Sequence, residues 1–188
     1  MIVKAIDATL IIATELEVNT SAFAARTTAN GGGDFYSCII AAVSAVKGTF
    51  WTGGKEGIAG LLAIHSSTEA LDKVQAIVLT QKQYMVGLGQ LCYTDTDPCT
   101  ALLRHFASSL STLSFSNRYF QSIATAIQDF LGKAGLYLGK DYYIGLIYRH
   151  CGVTEECWAG LLLIAKGIGW TMHICEERAE RVKQRCRL

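Results

Sequence analysis

The chain has 188 residues, of which 51% are apolar and 18% are charged. This composition excludes a disordered protein, since disorder requires low hydrophobicity and a high net charge. A chain of this length buries enough surface to fold without a disulfide or metal. The 17 basic and 16 acidic residues give a net charge of +1, which argues against the broad basic face of a nucleic-acid-binding protein.

The mean hydropathy of +0.27 is high for a soluble protein. No uninterrupted apolar run reaches the ~18 residues that a membrane helix needs. The most apolar stretch, 158–170, is interrupted by Lys166 and by glycines, so we predict a buried core helix and no membrane contact. The surplus of apolar residues predicts an oligomer. An acidic Asp7 and the lack of a cleavage site argue against a signal peptide, so we expect a cytoplasmic protein.

Seven cysteines are present, and none forms a C-x-x-C motif. Their spacing does not fit a zinc site. We therefore predict unpaired thiols that behave as small buried hydrophobic residues in a reducing compartment, with no metal bound. The alternative, intracellular disulfides of the kind that hyperthermophiles use, stays open at this point.

The hydrophobic pattern has helical periodicity and little alternation of period two, which predicts an all-α protein. A single proline is consistent with long helices. The segment 48–54 is predicted to be a loop, and the segment 86–98 to be a loop or a short hairpin. In chain order, the predicted helices cover 4–14, 23–29, 35–46, 66–79, 98–110, 115–132, 142–149, 154–165 and a last segment from 167 into the tail.

Polar residues at the expected helix starts indicate where several helices begin. Asn19 or Ser21 is predicted to cap the second helix, and Asp34 the third. Asp97 followed by Pro98 is typical of a helix start, because proline is tolerated in the first turn. The three glycines at 31–33 separate the second and third helices.

Motifs of known chemistry are weak in this sequence. The glycines at 87–89 lack the strand and helix of a dinucleotide site. Glycines 31–33 precede a helix, but Asp34 would repel a phosphate there. The four histidines have no metal-ligand spacing, and we predict structural roles for them.

Four segments nevertheless resemble, in the same order, the C-terminal half of the citrate synthase family. LIIATELEVNTSAFAAR resembles a family helix that reads approximately L-x-x-A-D-H-E-L-N-A-S-T-F-A-A-R. The second segment resembles D-x-Y-S-A-V-x-A-A-I-G-x-L-K-G-P-L-H-G-G, and the third G-F-G-H-R-V-Y-x-x-x-D-P. The fourth contains a D-F-Y-like start and an R-x-x-G-W-like run. These segments occupy residues 10–26, 34–54, 87–98 and 139–178.

The resemblance implies a citrate-synthase-like helical fold with two lobes. Residues 1–52 and 141–188 would form the C-terminal part of the large lobe, and residues 53–140 the small lobe. Family members are homodimers of about twice this length, so we expect a homodimer or a complex with another citrate-synthase-like chain. The coenzyme A loop would include Gly87, Leu88, Gly89 and Tyr93.

The resemblance also implies which residues act in the condensation of acetyl-CoA with oxaloacetate. Asp141 matches the family's base. The family's three histidines fall on Thr52, Gln90 and Leu16. The family's carboxylate-binding arginine falls on Lys166. A second such arginine, weakly matched, falls on Arg185.

Loss of the histidines predicts slow catalysis or none. Removing an oxyanion donor costs about 10²–10³ in rate, and removing a proton-transfer group about 10²–10⁴. Thr52 and Gln90 can still donate hydrogen bonds. Asp141 is either the base or only the cap of the helix over 142–149. Lys166 either holds a carboxylate or extends its amine to solvent from an apolar helix.

Three functions remain open from the sequence. The first is binding of a CoA thioester or a small di- or tricarboxylate without fast turnover. The second is a diverged acyl-CoA carbon–carbon synthase or lyase. The third is a non-catalytic assembly module that uses helices near 1–30. We expect no tightly bound cofactor, with CoA or acetyl-CoA as a co-substrate.

Overall fold

A computed structural model describes residues 1–14, 18–46, 66–80, 97–133 and 138–185. Within these ranges the secondary structure is helical, which confirms the predicted all-α class. The predicted loop at 48–54 lies outside the described residues, as does the segment predicted as a loop or hairpin at 86–98 except for its last two residues, the N-cap and first residue of a helix. The helices are α1 Ile2–Ile12, α2 Thr20–Asn30, α3 Phe35–Val46, α4 Ser67–Thr80, α5 Pro98–Ser111, α6 Phe115–Lys133, α7 Lys140–His150 and α8 Glu155–Arg185.

Local side-chain caps set three of the helix starts, as predicted. Asn19 Oδ1 accepts hydrogen bonds from the backbone amides of Ser21 and Ala22, at 3.0 and 3.1 Å. Asp34 Oδ1 accepts from the third amide along, at 2.9 Å, and Asp97 Oδ1 accepts from the amide of Cys99, also at 2.9 Å. Each cap satisfies an amide that has no partner within its helix.

The glycine break between α2 and α3 has a conformational and a steric reason. Gly32 has a φ of 91°, which is favourable only for glycine. A Cβ on Gly33 would lie 2.8 Å from Cγ2 of Thr28. The break therefore requires glycine at both positions.

Two helix predictions are wrong in detail. Helix α7 begins at Lys140 with Gly139 as its N-cap, and no side chain caps it. Asp141 is therefore inside the first turn and is not the cap. Helix α8 continues through Gly167 up to Arg185, because a glycine lowers helix propensity by only about 1 kcal/mol and still donates its amide.

The described chain divides into two compact units by contact. The first contains Met1–Thr9 and Gly53–Trp158, and the second Leu10–Thr52 and Ala159–Leu188. These contact units group the residues differently from the lobes that the resemblance implies. The assignment of residues to family lobes stays a prediction.

Helix α7 is the central helix of the first unit. Eight of its 11 residues are buried, and it packs against α5 and α6. The buried apolar side chains of this unit include Leu103, Leu110, Ile127, Leu131, Ile144, Leu146, Ile147 and Tyr148. Burial on nearly every side fixes the position of α7, because close-packed interiors leave little room for movement.

The core of the second unit is built on small residues. Alanines of α2 and α3, with Cys38, pack around Trp170 and Ile174 of α8. The indole Nε1 of Trp170 donates to Ser21 Oγ at 3.1 Å. Trp158 and Trp170 are buried, as predicted.

The prediction of a fully buried helix over 158–170 is wrong for one face, since Ile164 and Ile168 are about two-thirds exposed (67% and 65%). By length and composition alone, Glu155–Glu180 could cross a membrane. This is a weak indication, because core helices of soluble proteins have the same properties.

Candidate functional site

Helices α5 and α7 lie side by side in the first unit and run in the same direction. At their N-terminal ends, burial and the Asp97 carboxylate raise the pKa of the Cys99 thiol, and the positive charge of Lys140 offsets this in part. At their C-terminal ends, Nδ2 of Asn117 donates to the carbonyl oxygens of Leu110 and His150, both at 3.1 Å. Because the start of each helix adjoins the start of the other, the positive ends of two helix dipoles lie together.

Asp141 lies in the first turn of α7, at this shared positive end. Its side chain is partly buried. Negative charge is favourable near a helix N-terminus, and exposed amides at such an end are suited to bind anions. At the N-cap of α5, the Asp97 carboxylate is buried and accepts from Thr100 Oγ1 at 3.2 Å. The geometry therefore suits Asp141 as an ionised carboxylate, while the negative charge of Asp97 makes the α5 end less favourable for an anionic ligand.

The tyrosines that follow Asp141 do not supply a second acid or base near neutral pH. Burial raises the pKa of Tyr142 far above its usual value. Burial also raises the pKa of Tyr143 to about 12, and its hydroxyl donates to Gln128 Oε1 at 2.6 Å. Both phenols therefore stay protonated near neutral pH and belong to the buried core of the first unit.

At the other end of α7, the ring of His150 is buried, with 6% of the residue exposed. Neither ring nitrogen has a hydrogen-bond partner among the described residues. Burial lowers the pKa of His150 to about 4, and the carbonyl groups of Ala107 and Asn117 offset this only in part. His150 is therefore a neutral core residue at neutral pH, in keeping with the predicted structural role.

In the second unit, one arginine connects α2 to the C-terminal part of α8. Arg26 contacts three carboxylates, at 3.0 Å (Glu176), 2.9 Å (Glu177) and 3.6 Å (Glu180). The Nδ1 atom of the buried His173 lies 3.4 Å from the guanidinium. This cluster was not predicted from the sequence, although the i, i+3, i+4, i+7 spacing of His173 and the three glutamates places them on one face of a helix.

The family model for the citrate synthase C-terminal domain matches residues 1–187. The chain belongs to the citrate synthase family. It is 28% identical over 176 residues to a citrate synthase from Deinococcus radiodurans, covering 90% of this chain and 46% of that protein. It is 28% identical over 177 residues to the Synechocystis citrate synthase, covering 93% and 45%.

The fold is similar to that of a solved citrate synthase from Thermoplasma acidophilum. The TM-score is 0.79 at 27% identity, covering 93% of this chain and 48% of the other. That structure is a ternary complex with carboxymethyl coenzyme A and oxaloacetate. The chain thus spans about half the length of the citrate synthases that it matches.

The predicted citrate-synthase site residues are described only in part. Asp141 lies in the first unit, and Lys166 in the second. Lys166 is partly buried and shares a helix face with Trp170 and His173. Arg185 is the last residue of α8, and its side chain lies outside the described part. Thr52, Gln90, Gly87, Leu88, Gly89 and Tyr93, together with Leu16, lie outside the described residues, so their roles stay predictions.

Within the described residues, no group of three or more His, Cys, Asp or Glu side chains could hold a metal ion. The described cysteines Cys38, Cys99, Cys151, Cys157 and Cys175 are free thiols. The prediction that they are buried is wrong for Cys99, Cys157 and Cys175, which are exposed.

Proposed function

We propose that this chain binds a CoA thioester and a small di- or tricarboxylate, with slow turnover or none. The observation that carries the proposal is the position of Asp141, at the joined N-termini of α5 and α7. Support comes from family membership and from a fold similar to a citrate synthase solved with a CoA analogue and oxaloacetate.

In this proposal, Asp141 is the base that takes a proton from the acyl group next to the thioester carbonyl. An α-proton is weakly acidic, so the enolate also needs a hydrogen-bond donor at its oxygen. Thr52 and Gln90 would supply that donor. Neither side chain can carry a proton near neutral pH as a histidine does, which is why we infer slow turnover.

The ligands would be held at three places. Gly87, Leu88, Gly89 and Tyr93 would contact CoA, which acts as a dissociable co-substrate and not as a tightly bound cofactor. Lys166 would hold a substrate carboxylate as a point charge, without the two-pronged fork of an arginine. Arg185 would hold a second carboxylate.

The subunit arrangement is also part of the proposal. We infer a homodimer or a complex with another citrate-synthase-like chain, in the cytoplasm. Apolar side chains stand exposed on three helices, including Val3 on α1 (80%), Phe23 on α2 (62%) and Tyr36 on α3 (78%). These exposures also favour the alternative of a non-catalytic assembly module.

A thermal-shift titration with CoA, acetyl-CoA, oxaloacetate and citrate tests ligand binding. A ligand at 100 times its Kd should stabilise the chain by about 2.7 kcal/mol, which is several degrees for a domain of this size. Asp141→Asn should alter the thermal shift that acetyl-CoA produces. Asp129→Asn, an exposed aspartate on α6, is the matched control. No shift with any ligand would contradict the proposal and direct attention to a protein partner.

Exchange of the acetyl-CoA methyl protons with deuterated water separates binding from catalysis. Exchange that is absent, alongside a thermal shift, supports a ligand-binding protein. Exchange that Asp141→Asn abolishes and Asp129→Asn keeps would favour the alternative, a diverged acyl-CoA synthase or lyase.

A further inference from the structure

Asn117 lies at the end of the α5–α7 pair that is opposite to Asp141. It is in the first turn of α6, and only 9% of the residue is exposed. The backbone amide of Asn117 donates to Ser114 Oγ at 3.0 Å, which fixes the backbone of that turn. The side-chain amide is thus presented from a third helix toward the ends of the other two.

The two N–H groups of this amide have separate acceptors. One N–H group donates to the Leu110 carbonyl oxygen on α5, and the other donates to the His150 carbonyl oxygen on α7. Carbonyls in the last turn of a helix have no partner within the helix. Asn117 therefore satisfies the His150 carbonyl and adds a second hydrogen bond to the Leu110 carbonyl, which also accepts from the amide of Leu113 at 3.1 Å. One side chain thus ties the two helix ends together.

We propose that Asn117 is a positioning residue, whose amide fixes how far α5 and α7 are displaced along each other and hence where their N-termini lie. Helices are stiff along their axes, so a constraint at one end is carried to the other. Helix α5 has 14 residues and is therefore about 20 Å long. The effect of Asn117 on ligand affinity rests on the proposed function, whereas its effect on the position of the two N-termini does not.

The effect of the Lys140 charge on the Cys99 thiol, which partly offsets the effects of burial and of Asp97, reports on the N-termini without any ligand. Cys99 is exposed, so its alkylation rate follows the fraction of thiolate. Lys140→Gln should slow alkylation by iodoacetamide, located at Cys99 by mass spectrometry, by about two- to fivefold, as expected for a partly screened ion pair. In Asn117→Ala the same substitution should change the rate by a factor close to one.

Loss of stability alone must not be mistaken for loss of positioning. The wild-type chain is therefore also measured in enough urea to match the free energy of unfolding of Asn117→Ala, and there the Lys140 effect should persist. Asn117→Ser, which keeps one hydroxyl donor, replaces the alanine variant if that variant does not fold. Asn117→Gln keeps the amide and should recover part of the Lys140 effect.

Affinity for acetyl-CoA, measured by calorimetry, gives the second readout. Asn117→Ala should bind about tenfold more weakly, because small displacements of site residues are costly. An unchanged Lys140 effect in the folded Asn117 variants would overturn the inference, as would no Lys140 effect in the wild-type chain. If the wild-type chain binds no CoA compound but the Lys140 effect is lost in Asn117→Ala, the proposed function fails and the positioning role stands.

Discussion

His150 makes the first unit sensitive to acid, and His150→Phe tests this directly. The ordinary pKa of 6.5 falls to about 4 on burial. The folded state therefore disfavours the charged ring, and protonation favours unfolding. Stability should fall as the pH drops below 6.5, and the loss should level off below pH 4. Phenylalanine has a similar size, and neither ring nitrogen of His150 has a hydrogen-bond partner to lose.

The magnitude follows from the two pKa values. A shift from 6.5 to about 4 corresponds to about 3 kcal/mol when the group is fully titrated. Between pH 7 and pH 5 the same linkage gives a loss of about 2 kcal/mol. The unfolded chain binds nearly one proton at pH 5 that the folded chain does not.

Urea unfolding followed by circular dichroism, at pH values from 7.5 to 5, measures this loss. The difference between the wild-type chain and His150→Phe isolates one group, since all other titrating residues are shared. His105→Phe, on an exposed position of α5, is the matched control and should keep the wild-type pH dependence. Equal pH dependence in the wild-type chain and His150→Phe would refute the assignment of a buried, neutral imidazole.

Three further predictions concern stability. Gly33→Ala should destabilise the chain by about 1–3 kcal/mol, because its Cβ would meet a threonine methyl at 2.8 Å. Gly167→Ala, with open space around it, should stabilise the chain by about 0.5–1 kcal/mol. Thermal melts of the two variants beside the wild-type chain measure both effects. Arg26→Ala should cost about 1–3 kcal/mol because several carboxylates lose their partner, and Arg26→Lys should recover only part, so full recovery in urea titrations would argue against a geometric role. Ser21→Ala should cost about 1–2 kcal/mol by leaving the Trp170 indole without its acceptor; an unchanged urea midpoint and tryptophan emission would contradict this.

The candidate base could be predicted from the sequence, but the residues around it could not. Asp141 was identified from its match to the family, and the structure places it in the first turn of α7. The sequence could not indicate that α5 starts beside it, because Cys99 and Lys140 are far apart along the chain. Nor could it distinguish a cap from a first-turn residue, since both positions favour an aspartate.

Local interactions explain what the sequence by itself determined. The all-α class, the starts of α2, α3 and α5, and the break after α2 all depend on residues within a few positions of one another, such as Asn19 and Asp97. Caps, proline and glycine act through the nearest backbone groups, so their effects survive in almost any tertiary context.

Only the tertiary structure determined the remaining features, because they are contacts between segments that are far apart in the sequence. The contacts of Arg26 with glutamates of α8 join segments about 150 residues apart. The parallel arrangement of α5 and α7 brings the end carbonyls of both helices within reach of the Asn117 amide, which donates to each. Such pairings depend on how whole helices pack, and helix periodicity shows which face is apolar but not which partner covers it.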